Sequence, residues 1–143
     1  NFGSTAIETA GDQPDVLVAM NPAALKTNVQ ALKEGGLIIA DSGEFLALRD
    51  AIAAAALQRR IPSLGAQREF AESGCLASFG PDQSRLYVSM AGHVDRVLKG
   101  ANPGDLPVPL PTEFDFILNR KTADALGLAL PEGLRAQATE IIG

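Results

Sequence analysis

Two short apolar runs separated by one amphipathic segment constrain the fold of this chain most strongly. Residues 16–20 form a continuous apolar run with β-branched members, and residues 37–40 repeat that pattern. Such runs are typical of strands buried on both faces of a parallel sheet. The segment between them starts with Asn21-Pro22, a helix-start signal. Its apolar residues recur at helical spacing, at Leu25, Val29 and Leu32. The sequence therefore predicts a βαβ unit with a helix over residues 22–34.

The alternation of strands and helices continues to the end of the chain, after an irregular lead-in over residues 1–14. Further predicted elements are a helix between residues 41 and 62, strands over 63–66, 76–79 and 113–119, and helices over 67–73, 82–99, 121–126 and 131–142. Residues 113–119 alternate polar and apolar side chains, which indicates an antiparallel or edge strand. We therefore expect a single α/β domain over residues 1–143, with three layers, a mostly parallel sheet, helices on both faces and one late antiparallel or edge strand.

The composition excludes several classes of protein. The chain has 143 residues, with 12 Lys+Arg, 17 Asp+Glu, one Cys and one His, and its net charge is −5. A lone Cys75 forms no disulfide within the chain, and it has no Cys or His neighbour at the spacing of a zinc or iron–sulfur site. Charge is mixed without a basic run, so nucleic acid is not an expected partner. No apolar stretch reaches the roughly 18 residues that span a bilayer, so the chain is not expected to be membrane-embedded.

Candidate ligand-binding residues follow the predicted parallel strands, at the sheet edge where α/β proteins usually bind ligands. They are Asn21, Asp41, Ser42, Gln67, Arg68, Glu69, Ser78 and Phe79. The first three have two interpretations. Asn21 can offer N–H groups of a helix N-terminus to an anion, whereas helix capping explains all three residues and is the interpretation we favour. A capping box formed by Asp41 and Glu44 belongs to the second interpretation.

The sequence carries no complete catalytic arrangement. His93 is the only histidine and is predicted on the polar, solvated stripe of the helix over 82–99. Cys75 is expected to be a buried, inert thiol. No serine lies in a nucleophile elbow, and neither a dinucleotide-binding nor a P-loop glycine motif is present. We therefore predict no catalytic residue, no metal ligand and no cofactor, and we do not expect the chain alone to be an enzyme.

Residues 15–45 resemble part of the γ-type domain of the 2-oxoacid:ferredoxin oxidoreductases. The resemblance rests on the run DVLVAMNPAALKTNVQALKEGGLIIADSGEF, in which a strand, an Asn-Pro helix, a Gly-Gly turn and a second strand occur in the order found in that family. It implies a non-catalytic piece, because other domains or subunits of that family hold the thiamine diphosphate and the iron–sulfur clusters. No cofactor residue is carried over to this chain.

Residues 48–143 resemble the C-terminal part of the substrate-binding components of ABC transporters, which have the type I periplasmic binding fold. The most specific piece is VDRVLKGANPGDLPVPLPTEF, which joins a helix end, a proline-rich crossing and a strand at fixed spacing. In that family this segment completes one lobe and crosses the hinge, and the loops at Gln67–Glu69 and Ser78–Phe79 would face the cleft. Arg68 would then pair with a carboxylate and Phe79 would pack on an apolar ligand. The alternative is a solvated helix start at Arg68 and Glu69, with Phe79 in the core.

The two resemblances meet between residues 43 and 48, so we interpret the chain as a chimera of segments 1–45 and 46–143. The predicted function is that of a remnant or chimeric substrate-binding protein, a binding module for a small organic solute that is weak or inactive alone. Two alternatives are a non-catalytic oxidoreductase γ-domain piece and a folded chimera with no native function. Self-association is expected, because a lone lobe exposes apolar surface. Localisation is left open: periplasmic if the transporter resemblance holds, cytoplasmic if the oxidoreductase resemblance holds.

Overall fold

The computed structural model describes residues 13–108 and 110–143. Residues 1–12 of the expected irregular lead-in lie outside the described residues. The strands are β1 (Val16–Ala19), β2 (Leu37–Ala40), β3 (Ser63–Gly65), β4 (Ala77–Pro81), β5 (Phe114–Asn119) and β6 (Glu140–Ile142). The α-helices are α1 (Pro22–Asn28), α2 (Arg49–Gln58), α3 (Arg68–Glu72), α4 (Gln83–Leu98), α5 (Arg120–Leu126) and α6 (Glu132–Gln137). Short 3-10 turns cover Val29–Ala31, Gly43–Leu48 and Pro103–Asp105.

The six strands form one sheet whose spatial order follows the chain, β1-β2-β3-β4-β5-β6. β1 to β4 are parallel to one another, β5 runs antiparallel to β4, and β6 is parallel to β5. Right-handed connections between sequential parallel strands place α1, α2 and α3 on the same side of the sheet. The predicted α/β class, the mostly parallel sheet and the late antiparallel strand are therefore confirmed.

The helical cover of the sheet is unequal. On the side of the helices, Ile38 of β2, Ser78 of β4 and Ile117 of β5 are buried. On the opposite side the cover is partial: Val18 is 55% exposed and Phe79 is 51% exposed, whereas Leu118 of β5 is 1% exposed. The hydrophobic core therefore lies between the sheet and α1 to α3.

The core joins residues from both segments that the sequence analysis distinguishes. Its cluster consists of Ala19, Ala40, Phe45, Ile52, Ala53, Phe70 and Cys75. Phe45 is fully buried, although it lies in the 3-10 turn that precedes α2. Because the phenyl ring is the largest apolar group of that turn, its burial fixes the path of the chain between β2 and α2.

Three local predictions differ from the structure. The helix predicted over 22–34 is α-helical only to Asn28 and continues as a 3-10 turn over Val29–Ala31. The predicted helix over 131–142 ends at Gln137, and Glu140–Ile142 is a strand. The cause is pairing with β5, since Thr139 N donates to Phe116 O at 2.7 Å and Phe116 N donates to Thr139 Oγ1 at 3.0 Å. The capping box is also absent from this part of the chain, because Ser42 occupies the N-cap position of a 3-10 turn and makes no side-chain capping bond.

Helix α4 stands apart from the core, and none of its residues is buried. The Asp82 side chain caps its start by accepting from Ser84 N at 2.9 Å and Arg85 N at 3.3 Å. His93 is partly buried, and its ring nitrogens lie 3.1 Å from Ser89 O and 3.0 Å from Pro107 O. The histidine therefore joins α4 to the segment that returns to the sheet.

Candidate functional site at the carboxyl edge of the sheet

The strand register aligns several predicted site residues along one edge of the sheet. Ala19, Ala40, Gly65 and Ser78 are register partners on four neighbouring strands. Two residues further along each strand direction come Asn21, Ser42, Gln67 and Gly80, which we call the strand-edge row. Neighbouring strands lie about 4.8 Å apart, so the row brings together residues from three separate loops. This is the edge at which open α/β sheets usually bind ligands.

The centre of the row contains two polar oxygens without partners. Ser42 Oγ and Gln67 Oε1 are buried, and neither has a hydrogen-bond partner among the residues that the structure describes. An unsatisfied buried polar group costs about 1–3 kcal/mol. An amide oxygen accepts hydrogen bonds, and a hydroxyl both donates and accepts. The pair is therefore suited to a bound group that donates to Gln67 and exchanges a second bond with Ser42.

Two further predicted site residues, Asn21 and Asp41, differ from Ser42 and Gln67 because their side chains are not buried. The Asn21 side chain caps α1 by accepting from Ala24 N at 2.8 Å, as the capping interpretation predicts. Asp41 is exposed, and its backbone N–H donates to Ala19 O at 3.0 Å. Asn21 therefore already uses its acceptor oxygen within the helix, whereas the Asp41 carboxylate faces solvent.

An aromatic cluster lies on β4 and β5, on the face of the sheet away from α1 to α3. Phe79 stacks on Phe114 with ring centroids 5.6 Å apart and an interplanar angle of 6°, and it meets Phe116 edge-on at 6.1 Å. The Phe79 ring is half exposed rather than part of the core. Sequence analysis singled out Phe79 and missed its two neighbours. The alternation of Phe114 and Phe116 in β5 was the available signal, but their contact depends on the β4–β5 register.

Glycine at position 80 lets β4 approach the loop after β3. A Cβ atom at Gly80 would overlap the carbonyl oxygen of Ala66, so the position accepts no side chain. The backbone at the end of the row is therefore closely packed and leaves no room for a side chain at that position.

Arg68 is engaged within the chain. Its guanidinium donates to Glu72 at 2.7 Å and to both carboxylate oxygens of Glu140, at 2.6 Å and 3.0 Å. These bonds raise the pKa of Arg68 and lower the pKa of Glu140. Neighbouring Glu69 is exposed on α3. The Arg68 guanidinium is thus occupied by two carboxylates of its own chain, and nothing in the sequence near Arg68 pointed to Glu140.

Ser78 and Cys75 lie inside the fold. Ser78 is on the helix-covered side of β4 and is almost fully buried. Cys75 belongs to the core cluster, as expected, and burial raises the pKa of its thiol. A thiol with a raised pKa is a weak nucleophile at neutral pH, so Cys75 is a packing residue.

A groove of about 490 Å³ lies away from the strand-edge row, between α4 and residues 110–113. Its charged residue Arg85 donates to Asp82 at 3.2 Å and to Glu113 at 2.7 Å, so two carboxylates neutralise the guanidinium. We place the candidate site at the row, because its two oxygens are buried without partners, whereas the charged groups of the groove pair with one another.

Residues 13–108 and 110–143 contain neither a metal-binding cluster nor a helix that could span a membrane. Within those ranges there is no group of three or more His, Cys, Asp or Glu residues able to hold a metal ion. The helices described there are all too short or too polar to cross a membrane.

Solved structures share this fold. A conserved domain protein from Vibrio cholerae O1 biovar El Tor matches with a TM-score of 0.75 at 24% identity, covering 88% of this chain and 54% of that one. The ABC domain in complex with L-Trp from Streptococcus pneumoniae matches with a TM-score of 0.73 at 24% identity, covering 84% of this chain and 40% of that one. This chain therefore spans about half, or less than half, of these proteins.

One curated relative matches the first part of the chain. The 2-oxoglutarate oxidoreductase subunit KorA of Mycobacterium tuberculosis is 67% identical over 39 residues, which are 27% of this chain and 6% of that subunit. The match supports the oxidoreductase resemblance of the N-terminal segment and is too short to assign a family.

A family model covers nearly the whole chain. The model described as ABC transporter substrate binding protein matches residues 10–142, so it includes both segments that the sequence analysis separated. The chain therefore belongs to the family of ABC transporter substrate-binding proteins.

Proposed function

We propose that this chain binds a small organic solute at the strand-edge row, as one lobe of a substrate-binding protein that delivers solute to an ABC transporter. The observation that carries the proposal is the pair of buried oxygens without protein partners, Ser42 Oγ and Gln67 Oε1, beyond the ends of the adjacent strands β2 and β3. In a member of this family, a solute group that donates hydrogen bonds is the natural partner for such a pair.

The surroundings favour a solute with an amino group and an apolar body. The ammonium of an amino acid has three N–H donors, which suits the acceptor of Gln67 and the hydroxyl of Ser42. Phe79 is half exposed and offers an aromatic surface for the apolar part. The L-Trp carried by the Streptococcus protein has both features.

Binding by this chain alone is weak in this proposal. Tight binding in two-lobed proteins depends on closure, in which both lobes desolvate the ligand. The described residues supply one wall, so we expect a dissociation constant near 1 mM, about 4 kcal/mol of binding free energy. Arg68, Glu69 and Ser78 have no assigned part, because Arg68 is paired within the chain and Ser78 is buried.

Calorimetric titration with amino acids, aromatic acids and 2-oxoacids tests the proposal. We expect one amino-bearing solute to bind near 1 mM and the Gln67→Ala and Ser42→Ala variants to weaken it at least fivefold, since each removes a hydrogen bond worth about 1 kcal/mol or more. Gln58→Ala and Ser84→Ala are matched controls at exposed positions. Binding that is unaffected by Gln67→Ala and Ser42→Ala refutes the placement, and no binding across the panel refutes the function.

We also propose that α4 mediates self-association. Tyr87, Met90 and Val94 follow one another at helical spacing and are 66%, 59% and 57% exposed. An exposed apolar stripe of this kind is commonly covered by a second copy of the same chain. Light scattering should show a dimer that Met90→Glu converts to a monomer, while Ser84→Glu on the same helix does not. A monomer at millimolar concentration contradicts this assignment.

A second candidate function rests on the KorA match. In it, residues 1–45 derive from a γ-type domain and act only beside the partner subunits of a 2-oxoacid oxidoreductase, and the chain is a chimera joined between residues 43 and 48. The supporting observation is 67% identity over 39 residues. Adding the chain to such an enzyme with its γ-type domain deleted should restore reduction of a redox dye. Failure to restore it, together with solute binding by the chain alone, leaves the transport role as the sole proposal.

A further inference from the structure

We propose a second ligand site, separate from the strand-edge row, in the apolar groove between α1 and α2. The groove has a volume of about 270 Å³. Leu25 and Val29 form one wall, Ile38 of β2 the floor, and Ala51 and Ala55 the other wall, with Arg59 at the end. We name this the α1–α2 groove, and its proposed ligand is a small monocarboxylate with an apolar body.

The groove exists because α2 presents alanines where packed helices usually present large side chains. Ala51 and Ala55 are one helical turn apart and face α1 across the groove. Helix α1 has no buried residue and packs chiefly on β1. The groove is open to solvent and its lining is almost entirely aliphatic, so it presents an apolar surface that a ligand can cover. An apolar cavity of roughly 150 Å³ accommodates benzene, and the groove is nearly twice as large, which suits a chain of about eight carbons.

The positive charge of Arg59 at the end of the groove favours a ligand with a carboxylate headgroup. Arg59 lies at the C-terminus of α2, is exposed, and makes no ion pair with any residue of the described ranges. The other described residues that line the groove have aliphatic side chains, so Arg59 is the one charged residue of this lining. Guanidinium binds carboxylate with two parallel hydrogen bonds. A carboxylate at Arg59 with its alkyl chain along Ala55 and Val29 fits both the charge and the shape.

Calorimetric titration of the whole chain with octanoate, and with octan-1-ol as the neutral analogue, tests this site at low ionic strength. We expect octanoate to bind more tightly than octan-1-ol. Ala55→Leu fills the groove and should weaken both ligands at least tenfold, whereas Ala54→Leu adds the same side chain at an exposed position outside the groove and should leave both unchanged.

The second pair of variants tests the charge. Arg59→Gln should lower the affinity for octanoate about threefold or more without changing octan-1-ol, because exposed charge pairs contribute a fraction of a kcal/mol to about 1 kcal/mol. Arg60→Gln changes the neighbouring arginine, which does not line the groove, and should have no effect. Equal binding of octanoate by the Ala55→Leu variant, no binding of octanoate, or equal affinity for the alcohol and the carboxylate would each overturn the proposal. None of these outcomes bears on Ser42 and Gln67.

Discussion

The region around β3, α3, β4 and β5 and the unit formed by β1 and α1 share one sheet but differ sharply in packing. In the first, which we call the packed region, Phe70 and Leu118 are each 1% exposed, and Asn119 Nδ2 donates to Ala71 O at 2.8 Å across the core. In the second, which we call the edge unit, α1 has no buried residue and Val16 is exposed on the open side of β1.

The difference shows that the local stability of a strand or helix depends on how many neighbouring strands and helices pack against it. Strands of the packed region have a neighbour on both sides, whereas β1 pairs only with β2. Helix α3 contacts β3, β4 and β5, while α1 contacts β1 and faces the α1–α2 groove. Because segments with few buried apolar contacts open at low free energy, we expect the edge unit to unfold locally before the packed region does.

The largest expected effect comes from truncating one apolar side chain in each region. Phe70→Ala should lower the free energy of unfolding by about 3–5 kcal/mol, because the ring is fully buried and leaves a cavity. Val29→Ala lies on the half-open groove and should cost less than about 1 kcal/mol. Urea unfolding measures both values. Equal losses would remove the distinction between the two regions.

The next largest effect is expected from a substitution at Gly80, where the backbone of the packed region is closely packed. Gly80→Ala should destabilise the fold by about 2–3 kcal/mol, because the new methyl group meets Ala66 O. Gly92→Ala is the matched control on α4, where a Cβ meets nothing within 4 Å, and it should stabilise the chain by up to about 1 kcal/mol. A thermal melt in which both variants shift in the same direction contradicts this prediction.

Each region has a helix that is capped by an asparagine, so replacing each asparagine compares the two regions with the same residue type. Asn119 caps α5 by accepting from Thr122 N at 3.0 Å and is buried, while Asn21 caps α1 at the surface. Asn119→Ala should cost about 2–3 kcal/mol, because it removes the buried bond to Ala71 O and leaves the N–H of Thr122 without its capping partner in the core. Asn21→Ala should cost about 0.5–1 kcal/mol. Urea unfolding distinguishes these values, and a larger loss for Asn21→Ala would reverse the comparison.

The smallest effect concerns the ion pair that joins the packed region to β6. Because Arg68 lowers the pKa of Glu140, the pair stabilises the chain at neutral pH, and that contribution is lost as the pH falls below about 4.3, the ordinary glutamate value. Glu140→Gln should therefore lower the melting temperature slightly at pH 7, and the difference should shrink towards pH 3. Glu34→Gln, at another exposed glutamate, is the matched control for the loss of one carboxylate. A constant difference across this range contradicts the pairing.

Sequence patterns predicted the elements whose signals are local. The apolar runs of β1 and β2 and the Asn-Pro start of α1 depend only on neighbouring residues, and all three are confirmed. Strand β6 was predicted as helix, because its conformation depends on pairing with β5 more than 20 residues away in sequence. Local propensity contains no information about such pairing.

The candidate site was predictable only as far as strand ends could be located. The rule that ligands bind beyond the carboxyl ends of strands led to Ser42, Gln67 and Phe79, and their roles in ligand binding stay predictions. That Ser42 Oγ and Gln67 Oε1 are buried without partners depends on the register of β2 against β3. Arg68 illustrates the opposite case, since its engagement with Glu140 spans 72 residues of sequence.

The central claim is that solute binds between the edge unit and the packed region, at Ser42 beyond β2 and Gln67 beyond β3. Its most direct test is a titration of the isotopically labelled chain with L-tryptophan, followed by backbone amide NMR. The account predicts saturable shifts at Ser42, Gln67 and Phe79 with a dissociation constant near 1 mM. Shifts confined to the α1–α2 groove, or none up to about ten times that concentration, would contradict it.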